Sequence, residues 1–246
     1  MASIHVSERD GVRFLHLGSD LVQGAMRIAR PWALELEYTR EMMLPLLLRP
    51  TSWPATVLQV GLGSASITRF LYRHRPKARL AVIEIEPGVV AAARQFFKLP
   101  DDPRRLRVDI GDGHDFIAAA TRRFDFIVVD GFDAEGRAGM LETLPFYLNC
   151  RQRLTDRGML SVNLIDRGRG VARQVAALRE AFEGRVLALP PSNDGNCIAV
   201  ASALRPLPGD PAELEPAVAA LKAETGLDLA GTVERLKRHA AAPPAR

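Results

Sequence analysis

The stretch TVLQVGLGSASITRFLYRHRPKARLAVIE, residues Thr56–Glu84, decides the fold that we expect for the rest of the chain. Its first apolar run ends in GLG at Gly61–Gly63, and apolar residues then recur at helical spacing. A second apolar run, Leu80–Ile83, ends on Glu84. This order predicts a strand, a glycine turn, a helix, a second strand and an acid, which is the βαβ pattern of nucleotide-binding units.

The glycine turn and the acid suggest what this unit binds. Gly61 and Gly63 let the backbone turn tightly and bring a ligand close to the N-terminus of the following helix. Glu84 follows Gly63 by 21 residues and can accept hydrogen bonds from both hydroxyls of a ribose. We therefore expect a nucleoside-type ligand. The alternative is a βαβ unit whose glycines serve only the turn.

Short apolar strands and helices alternate through the middle of the chain. The expected strands are 57–60, 80–84, 105–109, 124–129 and 158–164, and the expected helices are 64–74, 87–97, 113–121, 143–155 and 169–183. Such alternation favours an α/β fold in which helices cover both faces of a parallel sheet.

The last two strands, Val186–Leu189 and Cys197–Ala203, are joined only by PPSNDGN at Pro190–Asn196. A connection this short cannot make a parallel crossover, so the pair must be an antiparallel hairpin. A reversed final hairpin is typical of the class I methyltransferase-like, Rossmann-type sheet, which is mostly parallel and seven-stranded. A classical NAD-binding domain would continue with helical crossovers instead.

Two flanking segments complete the predicted organisation. Runs rich in β-formers at Ile4–Val6, Val12–Leu17 and Leu21–Ile28 predict a small antiparallel meander, and a helix over Leu34–Leu48 follows it. Helical patterns over 211–224 and 228–240 come after the last strand. We expect a small N-terminal β-domain with its helix over 1–50, a Rossmann-like domain over 51–205 and a C-terminal helical appendage over 206–246.

Composition sets limits on partners and compartment. The 246 residues are 47% hydrophobic and 25% charged, and a net charge of +4 comes from arginines scattered in short groups, so a nucleic-acid partner is not indicated. Cys150 and Cys197 lie far apart without metal-ligand spacing. The N-terminal MASIHVSERDG has no apolar targeting core, and no run approaches membrane-spanning length. We expect a cytoplasmic protein with no membrane association.

Acidic residues follow several of the predicted strands, and ligands of open parallel sheets bind beyond these carboxyl ends. Besides Glu84, the third strand leads into Asp112-Gly113 and the fourth into Asp130 and Asp133. Asp112 could accept a hydrogen bond from an adenine amino group or only cap the next helix. Asp130 follows a run that we expect to be buried in the middle of the sheet, so a structural role explains it less well.

The motifs VLQVGLGSAS, VIEIEPGVV, DIGDGHDFI and FDFIVVDGFD, in this order, resemble the spermidine synthase (polyamine aminopropyltransferase) family. Its members carry a GGGDG-type loop, a VEID strand end, a GDG and a DSSDP-type loop. The lead-in DLVQGAMRIARPWALELEYTREMM resembles the family's N-terminal β-domain and its gate with Gln and Tyr. The resemblance runs from about residue 11 to residue 203. It implies a methyltransferase-like fold, an adenosyl sulfonium donor, no metal and often a homodimer.

The resemblance also implies a role for each matching residue. The donor-binding set would be Gly61, Gly63, Ser64, Glu84, Ile85, Asp112, Gly113 and Asp130, with Glu84 on the ribose and Asp112 with Gly113 on the adenine side. Asp130 would act as the base towards the attacking amine, and Asp133 would hold a substrate ammonium. Gln23 and Tyr38 would line the substrate pocket, and Phe132 would either line it or only fill its loop.

Simple chemistry agrees with this assignment. An alkylammonium has a pKa of about 10 and is no nucleophile until it loses a proton, so a neighbouring carboxylate both binds and activates it. The sulfonium carries its own leaving group, so positioning supplies much of the remaining catalysis.

One departure from the family pattern keeps other functions open. Ser64 replaces an Asp that, in the family, pairs with the amine of decarboxylated S-adenosylmethionine; a serine supplies no charge and does not repel the carboxylate of the intact compound. The first hypothesis is aminopropyl transfer from the decarboxylated donor to a di- or polyamine. The others are an S-adenosylmethionine-dependent methyltransferase and a non-catalytic nucleoside- or RNA-binding relative. An NAD-dependent oxidoreductase is least favoured, because Ser66 occupies the third glycine position.

Overall fold

The computed structural model describes residues 3–18, 22–166, 170–192 and 194–241 of the chain. The strands in this part are β1 Ile4–Arg9, β2 Val12–Leu17, β3 Val22–Arg27, β4 Thr56–Val60, β5 Arg79–Glu84, β6 Leu106–Ile110, β7 Phe124–Val129, β8 Leu154–Ile165, β9 Val186–Ala188 and β10 Asn196–Ser202. The α-helices are α1 Glu37–Glu41, α2 Ser66–His74, α3 Pro87–Phe96, α4 Gly113–Ala119, α5 Leu144–Gln152, α6 Ala172–Ala181, α7 Glu215–Thr225 and α8 Ala230–Ala241. Short 3₁₀ turns lie at Leu44–Leu47, Gly139–Glu142 and Pro211–Leu214.

The large sheet has seven strands in the order β6-β5-β4-β7-β8-β10-β9. β4 to β8 pair in parallel, whereas β10 runs antiparallel to both β8 and β9. The predicted mostly parallel sheet with a reversed final hairpin is confirmed. The chain leaves β4 first towards β5 and β6 and later returns to place β7 on the other side of β4. The carboxyl ends of β4 and β7 therefore form the switch point at which ligands of such sheets bind.

The N-terminal strands β1, β2 and β3 form a separate antiparallel sheet in sequence order. This confirms the predicted small β-sheet. Leu21, the first residue of the predicted third run, lies outside the described residues, as do residues 167–169, 193 and 242–246.

Two apolar cores cover the faces of the large sheet. On one face, α2 and α3 pack against the sheet, and the same continuous core includes residues of the N-terminal sheet and of α7 and α8. On the other face, α4, α5 and α6 form the second core with alternate strand residues. The three predicted segments thus share packing, and their division into domains stays a prediction. No helix of the described chain is both long and apolar enough to cross a lipid bilayer.

The helix expected over Leu34–Leu48 is wrong in extent. Only α1 is α-helical, and a 3₁₀ turn follows over Leu44–Leu47. Pro45 explains the break, since proline lacks the backbone N–H that would bond to Glu41 and its ring clashes with the carbonyl four residues earlier. The predicted helix over 211–224 likewise begins as a 3₁₀ turn before α7. The break leaves the five residues of α1 as an independent short element at the edge of the cavity described below.

Gly61 sits where β4 and β7 end side by side. Its amide donates to the carbonyl of Ile83 at 2.9 Å, and the amide of Asp130 donates to the carbonyl of Val60 at 2.9 Å. A Cβ at Gly61 would lie 2.1 Å from the backbone oxygen of Asp130, and the φ of Gly61 is +87°. Both the close approach and the backbone conformation therefore require glycine at this position.

We expect Gly61→Ala to destabilise the fold by more than about 4 kcal/mol, because it adds a clash to an unfavourable φ. Gly184→Ala is the matched control, since Gly184 has a φ of +80° but open space around its virtual Cβ. It should cost only about 1–2 kcal/mol. Urea denaturation of both variants measures the two free energies of unfolding. Equal losses of stability in the two variants would contradict a steric role for the close approach of Gly61 to the backbone of Asp130.

Candidate active site

A cavity of about 1040 Å³ lies beyond the carboxyl ends of β4, β5, β6 and β7. The N-terminal sheet and α1 form its opposite wall. Eleven of the twelve site residues predicted from the sequence line it: Gly61, Gly63, Glu84, Ile85, Asp112, Gly113, Asp130, Gln23, Tyr38, Phe132 and Asp133. The topology therefore gathers residues that are up to 110 positions apart in the chain, from Gln23 to Asp133.

Ser64 is the predicted site residue that does not line the cavity. It is buried, and its hydroxyl lies 2.9 Å from that of Ser66, which donates to the carbonyl of Ala25 at 2.8 Å. A Cβ at Gly24 would lie 2.4 Å from the Ser64 hydroxyl oxygen, so β3 packs directly against this side chain. Ser64 thus fastens the glycine turn to the N-terminal sheet, and the structure does not bring its hydroxyl to the ligand space.

Two buried polar side chains form hydrogen bonds to the backbone of the glycine turn on its buried side. Gln59 of β4 donates to the carbonyl of Gly61 at 2.7 Å and accepts from the hydroxyl of Thr68 on α2 at 2.8 Å. Arg69 is fully buried and donates to the carbonyls of Pro31 and Phe97 at 2.7 and 2.8 Å, and also to that of Ser64. Burial lowers the pKa of Arg69 to about 9. Neither Gln59 nor Arg69 was predicted from the sequence, because nothing in their spacing marks them as partners of the turn.

Glu84 ends β5 beside the glycine turn. Its carboxylate accepts from the backbone amide of Leu62 at 2.7 Å and from that of Glu86 at 2.9 Å. Burial raises the pKa of Glu84, and the backbone N–H groups oppose this by favouring the carboxylate. Each carboxylate oxygen has a further lone pair, so Glu84 can still accept hydrogen bonds from a ligand in the cavity.

Asp112 caps α4, as the alternative reading of the sequence allowed. Its side chain accepts from the backbone amides of His114 at 2.7 Å and of Asp115 at 3.4 Å. Gly113 lets the chain pass close to β4, since a Cβ there would lie 2.3 Å from Val60 Cγ1. Asp112, His114 and Asp115 also bring ligand atoms within 4.8 Å of one another, but the two acids are exposed and the cap explains their grouping. The absence of a metal from the function stays a prediction.

Asp130 directly follows β7, lines the cavity and is partly buried. Its Oδ1 accepts from the side-chain amide of Asn163 at 2.9 Å, and the hydroxyl of Tyr38 is a second donor near its carboxylate. Burial raises the pKa of Asp130, as does the charge of Glu84, whereas these two donors oppose the rise. Burial and the neighbouring Asp130 carboxylate raise the pKa of Tyr38 well above its usual range, so the tyrosine stays a donor.

Asn163 and Asn196 are functional candidates that the sequence analysis did not find. Asn163 is a buried residue of β8, and its side-chain oxygen Oδ1 accepts from the side-chain amide of Asn196 of β10 at 2.9 Å. This second contact fixes the amide orientation in which Asn163 donates to Asp130. The signal available in the sequence was a polar residue near the end of an otherwise apolar strand.

The loop after β7 carries the other predicted substrate residues. Phe132 lines the cavity, while Asp133 is exposed and forms a 2.8 Å ion pair with Arg137. The Asp133 carboxylate also accepts from the backbone amides of Glu135 and Arg137 at 3.0 and 2.7 Å. Asp133 thus organises its own loop and faces the cavity already paired.

The charged lining of the cavity is strongly acidic. Eight described lining residues are carboxylates: Glu37, Glu84, Glu86, Asp112, Asp130, Asp133, Glu135 and Asp194. The basic residues of the described lining are Arg137 and His114. The whole chain carries a net charge of +4, so the negative charge of the cavity is a local feature, opposite in sign to the net charge of the protein. Such a cavity attracts cations and repels anions.

Because its pKa is raised in the folded protein, the ionised carboxylate of Asp130 lowers the free energy of unfolding. The folded state holds this proton more tightly than the unfolded state, so the ionised group weakens the fold above its folded pKa and has no effect below its ordinary pKa. We expect Asp130→Asn to raise the free energy of unfolding at pH 7 by about 1 kcal/mol. The gain should vanish as the pH falls below about 3.9.

Denaturant titrations at several pH values test this expectation. Asp156→Asn is the matched control, because Asp156 is exposed and should change stability by less than about 0.5 kcal/mol. A loss of stability at pH 7 in Asp130→Asn would mean that its hydrogen bonds outweigh its burial.

Comparison with known proteins identifies the family. A family model described as "Spermine/spermidine synthase domain" matches residues 36–163. A polyamine aminopropyltransferase of Neisseria meningitidis is 36% identical over 198 residues, which cover 80% of this chain and 75% of the relative. One of Chromobacterium violaceum is 33% identical over 238 residues, covering 97% of this chain and 90% of the relative.

Solved structures agree on the fold. A probable spermidine synthase from Corynebacterium glutamicum superposes with a TM-score of 0.76 at 19% identity, covering 100% of this chain and 92% of that one. Human methyltransferase-like protein 13 in complex with SAH gives a TM-score of 0.64 at 23% identity, covering 86% and 95%. At these identities the likeness shows the fold alone. Together with the family model and the relatives, it establishes that the chain belongs to the spermine/spermidine synthase family and is a transferase with a methyltransferase-like fold.

Proposed function

We propose that this protein transfers an aminopropyl group from decarboxylated S-adenosylmethionine to a di- or polyamine, with Asp130 as the general base. The observation that carries the proposal is the acidic cavity in a basic protein. Both substrates of this reaction are cations, a sulfonium with a primary amine and an acceptor amine. Eight lining carboxylates provide a favourable field for both.

The adenosyl part of the donor fits the glycine-turn side of the cavity. Glu84 lies at the end of β5 with acceptor capacity left for ribose hydroxyls, and Asp112 and Gly113 stand at the next strand end for the adenine side. The fold is shared with human methyltransferase-like protein 13 in complex with SAH and with a spermidine synthase in complex with the transition state analogue AdoDATO, which has a TM-score of 0.61. These ligands support an adenosyl donor here.

Asp130 supplies the base chemistry. The acceptor ammonium would bind beside the carboxylate and give it a proton, and the freed nitrogen lone pair would attack the carbon next to the sulfonium. The carbon–sulfur bond breaks as the carbon–nitrogen bond forms, and methylthioadenosine leaves with the electron pair on sulfur. The raised pKa of Asp130 improves it as a proton acceptor, while Tyr38 and Asn163 fix its direction. Gln23 and Phe132 would line the acceptor space.

The position of Ser64 bears on the choice of donor. Its hydroxyl faces β3, so Ser64 supplies no contact in the cavity to either the amine or the carboxylate of a donor. The acidic lining favours the decarboxylated donor, because both compounds carry a sulfonium and an amine but only the intact one adds a carboxylate that the lining repels. The methyltransferase fold keeps methyl transfer from the intact compound as a second candidate. RNA binding at this cavity is disfavoured, since a polyanion would meet eight carboxylates.

Incubation of the wild-type protein with each donor and putrescine tests the proposal. We expect release of methylthioadenosine and formation of spermidine with the decarboxylated donor. Binding of that donor should also raise the melting temperature more than the intact compound does. Release of S-adenosylhomocysteine from the intact compound, with no methylthioadenosine from the other, would replace aminopropyl transfer by methyl transfer.

The hydrogen bond from Asn163 should set the acidic limb of the pH profile. Because this bond lowers the pKa of Asp130, Asn163→Ala should shift the acidic limb of kcat/KM to higher pH. Asn196→Ala should shift it in the same direction by a smaller amount, since Asn196 acts only through Asn163. The profile is measured with one acceptor throughout, so that the titration of the amine itself is constant.

The control for this pH shift is Asn149→Ala, a partly buried asparagine of α5 outside the cavity lining, which should leave the profile unchanged. An acidic limb that stays in place in Asn163→Ala, or moves to lower pH, would remove Asp130 from the role of base.

A further inference from the structure

The C-terminal helix α8 contacts α1, whose Glu37 and Tyr38 line the cavity, through Arg235. Its guanidinium forms an ion pair with Glu41 and a second with Glu37 at 3.2 Å. Both acids belong to α1, and Glu41 is fully buried. Burial raises the pKa of Glu41, and the charge of Arg235 opposes that rise. The buried carboxylate therefore depends on a cation that comes from a segment about 190 residues further along the chain.

The element held in this way is short. α1 has five residues, fewer than a helix needs to be stable by itself, so its position depends on tertiary contacts. Tyr38 lies between the two acids in sequence and lines the cavity with Asp130, whose carboxylate is close enough to raise the pKa of the tyrosine. Glu41 follows Tyr38 by three residues, which places the two side chains on neighbouring positions of one helical face. Any shift of α1 therefore moves the tyrosine hydroxyl relative to Asp130.

We propose that Arg235 is a positioning residue of the active site: by bridging Glu37 and Glu41 it fixes α1, so that Tyr38 reaches Asp130. Helix α8 then contributes to the geometry of the site. Arg235 touches neither substrate nor reacting atoms, and its effect passes through Tyr38. The catalytic consequence rests on the proposed function, whereas the effect on α1 is structural.

Hydrogen exchange tests the structural part without any turnover. The amide of Met42 donates to the carbonyl of Tyr38 at 2.9 Å, so exchange in residues 37–43 reports whether α1 is formed. Arg235→Met keeps the apolar stem but leaves the buried charge of Glu41 without its partner. We expect exchange in this segment to become about tenfold faster.

Lys237→Met is the matched control on the same helix. Lys237 pairs with Glu215 and Glu234 at the surface and contacts neither acid of α1. It should leave exchange in residues 37–43 unchanged. If Arg235→Met fails to fold, Arg235→Lys is used instead. It retains the positive charge but replaces the planar guanidinium by an ammonium, so we expect a smaller increase in the exchange rate of residues 37–43. Unchanged exchange in the folded Arg235 variant overturns the proposal.

A double-mutant cycle tests the catalytic part. Arg235→Met and Tyr38→Phe should each lower kcat/KM by about tenfold and move its acidic limb to higher pH, because each takes the Tyr38 hydroxyl away from the Asp130 carboxylate that it favours. In the Tyr38→Phe background, Arg235→Met should cost little more. Losses that multiply would show that Arg235 does not act through Tyr38. Absence of methylthioadenosine release by the wild type defeats the proposed function alone, since the exchange result still decides the placement of α1.

Discussion

The site depends on the contact between the backbones of Gly61 and Asp130, where β4 and β7 end beside each other. The 2.1 Å approach of a virtual Cβ at Gly61 to the Asp130 carbonyl leaves no room for a side chain. This contact places the turn that would hold the donor next to the carboxylate that would act on the acceptor. Gln59 and Arg69 fix the turn from the buried side by bonding to its carbonyls. The donor and the acceptor of the proposed reaction would thereby be held next to each other.

Electrostatics of the cavity follow from this crowding. Burial raises the pKa of both Glu84 and Asp130, and the negative charge of Glu84 raises the pKa of Asp130 further. Backbone amides at Glu84, and Asn163 with Tyr38 at Asp130, favour the charged forms without supplying a counter-charge. A bound cation would supply it. We therefore expect a bound cationic substrate to restore the stability that the concentrated carboxylates remove.

Sequence periodicity predicted the sheet and its reversed hairpin, and it placed the acids and glycines at the strand ends together because parallel strand ends meet by topology. Gln23 and Tyr38, on the opposite wall of the cavity, were predicted only from the family resemblance. Neither source predicted the direction of Ser64, which is decided by packing against β3, or the contact from Asn196, which depends on the register of an antiparallel pair. Arg235 was equally out of reach, since nothing local links α8 to α1. The helix break at Pro45 could have been predicted from the proline itself, but the apolar periodicity on both sides of it favoured one continuous helix.

The most direct test of the central claim is a crystal structure of the protein with methylthioadenosine and a diamine. The account predicts density for the ribose against Glu84 and an amine nitrogen within hydrogen-bonding distance of Asp130, with the methylthio sulfur facing that nitrogen. An adenosyl group bound elsewhere, or an Asp130 carboxylate turned away from the amine, would contradict it.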